Sequence, residues 1–254
     1  MTEHHMLLTK SEMGDYLSYG FPMGKPEYLK EAVDALYEYS KKKGHKFQMH
    51  NVTPEQFALL ESVYPGRFQI EYRRDYADYV YEAEKLAKLS GKKYHGKKNH
   101  TNKFKKLYPN WQYESLNDSN AEECFQMALK WRNQNGCEED PEKNSEMCVT
   151  LNSLRLYKEL ELCGGVLRAE GKVVGFSIGE SVSDDTFVVH IEKAFADVPG
   201  AYPMINQQFV EHEMQGFSYV NREEDMGAEG LRSAKKSYHP IFMVEKGIVT
   251  EKGE

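Results

Sequence analysis

The sequence predicts an α/β protein built from two related modules in tandem, and three observations support that fold class. Segments with alternating apolar residues, typical of strands, are interleaved with segments in which apolar residues recur every three or four positions, typical of helices. The order strand pair, helix, strand, helix, strand occurs over residues 6–73 and again over residues 165–246. The 254 residues suffice for two domains, and 17 Tyr and 12 Phe supply large core side chains.

The first module begins with a predicted hairpin, because two short apolar runs at residues 6–10 and 16–21 flank a Gly14-Asp15 turn. A helix follows over residues 26–40, with Pro26 suited to its first turn and Gly44 beyond its end. Thr53 and Gln56 have the spacing of a capping box and predict the next helix. The remaining predicted elements are a strand at 45–52, a helix from 53 to 64 and a strand at 67–73.

The second module has an additional strand and helices at its front, with Leu160 among the expected core residues. Because the first module lacks a counterpart, its front is expected to be missing, either lost or because the chain starts partway into that module. The predicted strands are 111–116, 165–169, 172–180, 186–194, 217–225 and 241–246, and the predicted helices are 118–134, 147–162, 202–215 and 228–238.

Between the modules, residues 76–89 predict a helix, and residues 92–106 form the most basic segment of the chain, with seven lysines and two histidines. The expected boundaries are therefore 1–91 for a partial N-terminal module, 92–109 for a basic linker helix and 110–254 for the C-terminal module. A run of lysines binds phosphates without reading sequence, so Lys97, Lys98, Lys103 and Lys105 are candidate nucleic-acid contacts. A solvated helix between modules is the alternative interpretation.

Composition narrows the class of protein. The net charge of −7 argues against a chain coated in basic residues for nonspecific nucleic-acid binding. The four cysteines are too irregularly spaced for a paired zinc motif, so we expect free thiols, a cytoplasmic location and no metal site. No run of about 18 apolar residues predicts a membrane-spanning helix. The oligomeric state is not predicted.

Polar residues gather on two neighbouring predicted strands of the second module. His190 and Glu192 share one face of the strand at 186–194, and Asn221, Glu223 and Asp225 share a face of the strand at 217–225. Ligands of open α/β sheets bind beyond the carboxyl ends of strands. These five residues are therefore the candidate catalytic residues, with the imidazole or a carboxylate as the proton acceptor. The alternative interpretation is that His190 is a hydrogen-bonded structural residue and Asp225 caps the following helix. The candidate substrate-binding residues around them are Lys193, Asn206, Arg222, Arg232, Lys235 and Tyr238.

Four segments carry a resemblance to a known family: YHGKKNHTNKF at 94–104, HIEKA at 190–194, YPMINQQF at 202–209 and NREEDMGAEGLR at 221–232. They resemble a bacterial family of uncharacterised tandem proteins with the GCN5-related N-acyltransferase (GNAT) fold. That family is similar to the C-terminal domain of phosphatidylglycerol lysyltransferases. The resemblance covers nearly the whole chain and implies two GNAT-like modules, each a mixed, mostly antiparallel sheet flanked by helices. Fold alone does not fix the substrate.

The resemblance implies acyl transfer at the gap between the strands at 186–194 and 217–225. Coenzyme A is the usual donor in this fold, and its pyrophosphate binds backbone amides at the start of a helix, here at Gly200 and Ala201. In the preceding loop Pro199 removes a donor and Asp197 repels phosphate, which weakens that expectation. An aminoacyl-tRNA donor needs a basic surface instead, and no further cofactor is then required.

Three hypotheses follow. The leading one is aminoacyl transfer from aminoacyl-tRNA to an amine or hydroxyl, with tRNA and a small-molecule or peptide amine as partners. The second is a coenzyme A-dependent N-acetyltransferase using acetyl-CoA, and the third is a non-catalytic module that binds a ligand or RNA. A cationic acceptor is compatible with five nearby acidic residues, which are Glu138, Glu139, Asp140, Glu142 and Glu146.

Overall fold

The structure, a computed structural model, describes residues 6–13 and 16–253. Their contacts group the chain into two compact units. The first comprises residues up to Asp78 together with 224–232 and 243–254, and the second comprises residues 79–223 and 233–242. This grouping follows contacts in the folded chain, whereas the boundaries predicted at residues 91 and 109 follow chain order.

The first unit contains a five-stranded sheet. Its elements are β1 (Lys10–Met13), β2 (Tyr16–Tyr19), α1 (Leu29–Lys43), β3 (Gln48–Val52), α2 (Pro54–Val63), β4 (Phe68–Tyr72) and β12 (Gly247–Glu251). The strand order is β1-β2-β3-β12-β4, and only β2 and β3 are parallel to each other. The predicted hairpin is confirmed as β1 with β2, although its first strand begins at Lys10 instead of residue 6. The predicted Gly14-Asp15 turn lies outside the described residues.

The last strand of this sheet is absent from the sequence prediction. Strand β12 lies between β3 and β4 and pairs antiparallel with both. At Gly247 an added Cβ would stand 2.6 Å from Ile70 Cγ1, so this position of the strand requires glycine. Its five residues offer too short an apolar pattern to reveal a partner so distant in the sequence.

Aromatic residues fill the core of the first unit. Phe47 lies 5.8 Å from Tyr19 and 5.6 Å from Phe68, measured between ring centroids, and all three rings are buried. The hydroxyl of Tyr19 is satisfied by Ser40 Oγ at 2.6 Å. The predicted capping box is also confirmed, because the Gln56 amide donates to Thr53 Oγ1 and the Thr53 amide donates to the Gln56 side chain.

The second unit is organised around a seven-stranded sheet of order β11-β5-β10-β9-β8-β7-β6. The only parallel pair whose register is described is β9 with β10. Its strands are β5 (Asp78–Glu82), β6 (Gln112–Ser115), β7 (Cys163–Ala169), β8 (Lys172–Ser181), β9 (Thr186–Ala194), β10 (Tyr219–Asn221) and β11 (Phe242–Val244). Its helices are α3 (Ala83–Lys88), α4 (His95–Leu107), α5 (Ala121–Gln134), α6 (Pro141–Arg155) and α7 (Ala201–Glu213). Helix α8 (Glu229–Lys236) has residues 229–232 in the first unit and residues 233–236 in the second.

Three predictions about these elements are wrong. The strand predicted over residues 217–225 is limited to β10, and Glu223 after it has a left-handed backbone with φ 54°, so Asn221, Glu223 and Asp225 do not share a strand face. The helix predicted over residues 76–89 is a strand followed by a short helix, because β5 pairs with β10 and buries Tyr79, Val80 and Tyr81. A short apolar run fits the repeat of a helix as well as that of a strand, so only its pairing partner shows which one forms. Helix α6 ends at Arg155, well before the predicted residue 162, and Leu160 is 50% exposed instead of in the core.

Each unit is thus a mixed sheet flanked by helices. No helix within the described ranges has both the length and the apolar character that crossing a membrane requires.

Candidate active site where two parallel strands separate

The candidate active site lies where β9 and β10 separate. The two strands pair only from Thr186 to Val188 and from Tyr219 to Asn221, whereas β9 continues to Ala194 against β8. Beyond the last parallel pair, the backbones of the two segments are no longer paired with each other. Side chains of the two segments still meet there, because His190 contacts Glu223 and Glu192 contacts Arg222.

His190 is held between two carboxylates. Its Nδ1 lies 2.7 Å from Glu223 Oε1 and its Nε2 lies 3.0 Å from Glu180 Oε1. The hydrogen bond to Glu223 raises the pKa of His190 to about 8, against the opposing effect of burial. At neutral pH the imidazolium therefore donates from both nitrogens. His190 is a charged link between two glutamates and has no free nitrogen with which to accept a proton.

Glu192 is largely buried, with 14% of its side chain exposed, and two side chains donate hydrogen bonds to its carboxylate. Arg222 Nη2 donates to Oε1 at 2.9 Å, and Asn206 Nδ2, from α7, donates to Oε2 at 3.0 Å. Burial disfavours the charge of Arg222, but the Glu192 carboxylate holds the Arg222 pKa above its ordinary value. Within the described part of the chain, Arg222 Nη1 and Asn206 Oδ1 are buried atoms without a hydrogen-bond partner. The cluster of Glu192, Arg222 and Asn206 thus holds one hydrogen-bond donor and one acceptor without a partner.

Tyrosine rings surround the guanidinium of Arg222. Its Cζ lies 4.9 Å from the ring centroid of Tyr238 and 5.8 Å from that of Tyr81. Lys97 of α4 also reaches this group, with Nζ 4.1 Å from the Tyr238 ring centroid. Burial, and secondarily the charge of Arg222, lower the pKa of Lys97. Lys97 therefore belongs to the candidate site, unlike the other lysines predicted with it.

The segment after β10 is fixed by local hydrogen bonds. Asn221 Oδ1 accepts from the Glu223 amide at 2.7 Å, and Glu223 has a left-handed backbone with φ 54°. Lys235 Nζ donates to the carbonyl oxygens of Arg222 at 2.5 Å and Glu223 at 3.1 Å. Asn221 and Lys235 were predicted as catalytic and substrate-binding residues, respectively. The contacts described here are to the backbone of this turn, and they orient the side chains of Arg222 and Glu223.

Asp225 and Arg232 belong to the first unit. Asp225 is fully buried, and Arg232 donates to it from Nε at 3.0 Å and from Nη2 at 2.8 Å. Arg232 also binds Asp75 at 2.6 Å, and Arg74 lies 3.4 Å from Asp225. Because these charges neutralise one another within that unit, we leave Asp225 and Arg232 out of the candidate site.

Lys193 lies on the opposite face of β9 from His190 and Glu192, because side chains alternate along a strand. Its Nζ donates to Glu146 at 2.5 Å and lies 4.1 Å from the Trp131 ring centroid. Trp131 in turn donates to the carbonyl of Ala194 at 3.1 Å. The sequence prediction of Lys193 as a substrate-binding residue overlooked this alternation, and Lys193 packs with α5 and α6 instead.

The amino end of α7, predicted as a cofactor site, is crowded. Gly200 has φ 86°, and a Cβ added there would stand 2.5 Å from the carbonyl oxygen of His100 and 3.0 Å from Phe104 Cβ. Ala201 is 1% exposed. The backbone of α4 therefore lies against Gly200, where the resemblance places a pyrophosphate.

The other predicted lysines of α4 face solvent. Lys98, Lys103 and Lys105 are exposed, and Lys105 also lies 5.3 Å from the Trp111 ring centroid. Helix α4 thus turns Lys97 inward and presents these three lysines outward.

Two residues of the site were not singled out from the sequence. Glu180 reaches His190 from the neighbouring strand β8, and Tyr81 lies on β5, which was mistaken for helix. Cross-strand register, which the sequence does not show, brings both into contact. Among the described residues, no group of three His, Cys, Asp or Glu side chains is arranged to hold a metal ion.

A groove of about 580 Å³ lies elsewhere in the second unit, between α5 and the turn that joins β7 to β8. Apolar residues including Met127, Val173 and Phe195 line it, but none of the predicted site residues does. The candidate site is therefore defined by its polar cluster and not by this groove.

The chain is similar in fold and sequence to known proteins. A crystal structure of a protein of unknown function from Bacteroides thetaiotaomicron is 37% identical, with a TM-score of 0.89 over 98% of this chain and 84% of that one. The C-terminal domain of a putative lysylphosphatidylglycerol synthetase from Agrobacterium fabrum is 14% identical, with a TM-score of 0.72 over 98% of this chain and 84% of that one. The second likeness supports the fold alone.

An uncharacterised protein from Mycoplasmoides gallisepticum is 26% identical over 177 residues. That alignment covers 68% of this chain and 55% of the relative, so the chain spans about half the length of this curated protein. The predicted fold class, two tandem GNAT-like modules, is confirmed by the two mixed sheets and by these likenesses. A tandem GNAT protein from the clavulanic acid biosynthesis pathway, 8% identical, shares the fold with a TM-score of 0.50 over 94% of this chain and 75% of that one. Because residues 1–249 match the family described as "Phosphatidylglycerol lysyltransferase, C-terminal", the chain belongs to that family.

Proposed function

We propose that this protein transfers an aminoacyl group from an aminoacyl-tRNA to an amine or hydroxyl acceptor. The observation that carries the proposal is the unmatched pair of buried atoms in the candidate site, the donor Arg222 Nη1 and the acceptor Asn206 Oδ1. A buried polar group without a partner costs about 1–3 kcal/mol. An aminoacyl ester can match both atoms, because its carbonyl oxygen accepts a hydrogen bond and its α-ammonium group donates one.

The surface of α4 supports a nucleic-acid donor. Lys98, Lys103 and Lys105 are exposed on the same helix whose inner side brings Lys97 to the Tyr238 ring. Since lysines bind the phosphate backbone without reading bases, this face suits the end of a tRNA irrespective of its sequence. Membership of the phosphatidylglycerol lysyltransferase family agrees with an aminoacyl donor.

Acetyl-CoA is the alternative donor, and it has less support. In a GNAT fold the pyrophosphate needs open amides at the start of the helix that follows the long central strand. Here the carbonyl of His100 lies against Gly200, and the adjoining Ala201 is buried. Binding of coenzyme A at this position would require α4 to move.

The test is transfer of a labelled aminoacyl group from charged tRNA to a panel of acceptors. The panel comprises phosphatidylglycerol vesicles, polyamines and peptide amines, and the comparison is Arg222→Lys, which keeps a positive charge beside Glu192 but lacks the guanidinium Nη1 donor. We expect label in at least one acceptor with the native chain and at least a 100-fold loss in the variant, comparable to removal of an oxyanion donor. Transfer from acetyl-CoA instead, or binding of tRNA with no transfer to any acceptor, would reject the proposal.

The role of α4 is tested separately by tRNA binding at several salt concentrations. The triple variant Lys98→Met, Lys103→Met, Lys105→Met should bind more weakly, with the slope of log K against log salt reduced by about 2 to 3. Lys41→Met, Lys42→Met, Lys43→Met removes three basic residues from the last turn of α1 and is the matched control. Equal slopes for the two triple variants would show that α4 does not bind the RNA.

A further inference from the structure

Lys97 differs from every other residue of the candidate site in how its ionisable group is held. Its amine lies 4.1 Å from the Tyr238 ring centroid, and among the described residues it makes no hydrogen bond or ion pair. The neighbouring Lys98 is exposed to solvent. An amine without a hydrogen-bonding partner can accept a proton from a ligand without first breaking a contact.

The other ionisable groups of the site are engaged in hydrogen bonds or keep their protons. Burial raises the pKa of Tyr238, so its hydroxyl stays protonated. His190 is bonded through both nitrogens. Glu192 receives hydrogen bonds from Arg222 and Asn206, and the Lys235 amine donates to two carbonyl oxygens. Arginine does not lose its proton in proteins. Lys97 is therefore the group best placed to exchange protons with a substrate.

We propose that Lys97 is the proton carrier of the transfer reaction, an inference that rests on the proposed function. The neutral amine takes the proton from the acceptor as the acceptor oxygen or nitrogen bonds to the ester carbonyl carbon. The bond between that carbon and the ribose oxygen then breaks, and the Lys97 ammonium gives the proton to that oxygen, which leaves as the ribose hydroxyl. Protons balance over the cycle, and Lys97 returns to its neutral form.

The electrostatic surroundings of Lys97 agree with this role. Burial lowers its pKa, Arg222 lowers it further and Glu192 opposes both. A general base works best when its pKa lies near the working pH, and desolvation with a neighbouring cation moves a lysine in that direction. Tyr238, 4% exposed, supplies an apolar surface beside the amine.

The test compares Lys97→Arg and Lys97→Met with the native chain in single-turnover transfer at saturating aminoacyl-tRNA. Lys97→Arg keeps the positive charge but cannot carry a proton at neutral pH. Both variants should transfer about 100-fold more slowly, the lower end of what proton-transfer catalysis contributes. Their Kd for tRNA should change less than about threefold, because a loss of chemistry and not of binding is expected. Lys130→Met, which removes an exposed lysine of α5, is the control for a lost charge.

The pH–rate profile separates proton transfer from packing. The transfer rate of the native chain should rise with pH as Lys97 deprotonates, and Lys97→Arg should not show this increase. Transfer by Lys97→Arg at more than half the native rate, with an unchanged profile, would overturn the proposal. Failure of the native chain to transfer at all refutes the proposed function and this inference together, whereas normal native transfer with a normal Lys97→Arg refutes only the inference.

Discussion

The ion pairs of His190 predict that the second unit loses stability as the solution becomes alkaline. In the folded chain the pKa of His190 is raised to about 8, compared with an ordinary value of about 6.5. A group whose pKa is raised by folding stabilises the protein fully below its unfolded pKa, and this stabilisation is lost as the pH rises through the folded pKa. The stabilisation by His190 is therefore lost between about pH 6.5 and pH 8.

The size of the effect follows from the same pKa difference. The difference of about 1.5 pH units corresponds to about 2 kcal/mol. Because 32% of the His190 side chain is exposed, solvent screening reduces this to about 1 kcal/mol. Glu180 and Glu223 face the imidazole from neighbouring segments, so both ion pairs contribute to the expected loss.

The assay is urea unfolding followed by tryptophan fluorescence at pH 6, 7, 8 and 9. Both tryptophans, Trp111 and Trp131, lie in the second unit, so the signal reports that unit. The free energy of unfolding of His190→Gln is subtracted from that of the native chain at each pH, which cancels the titration of other groups. The difference should fall by about 1 kcal/mol between pH 6 and pH 9. A difference that stays constant over this range would refute the reasoning.

Three further predictions concern stability. Arg222→Met leaves the Glu192 carboxylate buried without its cation, and we expect a loss of about 3–5 kcal/mol in urea unfolding, whereas Lys88→Met, which breaks an exposed pair with Glu84, should have little effect. Gly200→Ala should lower the free energy of unfolding by about 2–4 kcal/mol, because the new Cβ meets the His100 carbonyl. The control is Gly216→Ala, beyond the other end of α7, which also has a positive φ but has open space and should lose about 1 kcal/mol. Equal losses would show that close packing at Gly200 is unimportant. Thr53→Ala should destabilise α2 by about 1 kcal/mol, seen as faster amide hydrogen exchange in that helix, and unchanged exchange would contradict the capping contact.

Much of the fold can be predicted from the sequence because its elements carry local signals. The capping box at Thr53 and the alternation of β9 identify those elements without tertiary information. The failures are elements that depend on a distant partner. The sequence of β5 fits a helix as well as a strand, and its pairing with β10 shows that it is a strand. Strand β12 is identified by its pairing with β3 and β4.

The same distinction holds for the candidate site. His190 and Glu192 could be predicted because alternation places both on one face of β9. Glu223 was grouped with them through a predicted strand that is too long, and it reaches His190 from the turn after β10. The different role of Lys97 could not, since membership of a basic run hides that one lysine turns inward. Glu180 was missed because only sheet register brings it to His190. Sequence pattern thus locates the strands that carry the site, whereas tertiary contact decides which side chains take part.

The position of β12 determines the order in which the protein can fold during synthesis. Strands β3 and β4 are synthesised well before β12, the strand that lies between them and pairs with both. Until then β3 and β4 have unpaired edges facing each other, and such edges promote association with other chains. Domains generally fold from the amino end as they emerge, at about 5–20 residues per second. Here β5 to β10 of the second sheet are all synthesised before β12, whereas β11 directly precedes it. At these rates the edges of β3 and β4 stay unpaired for about 10 seconds or more, until β12 pairs with both.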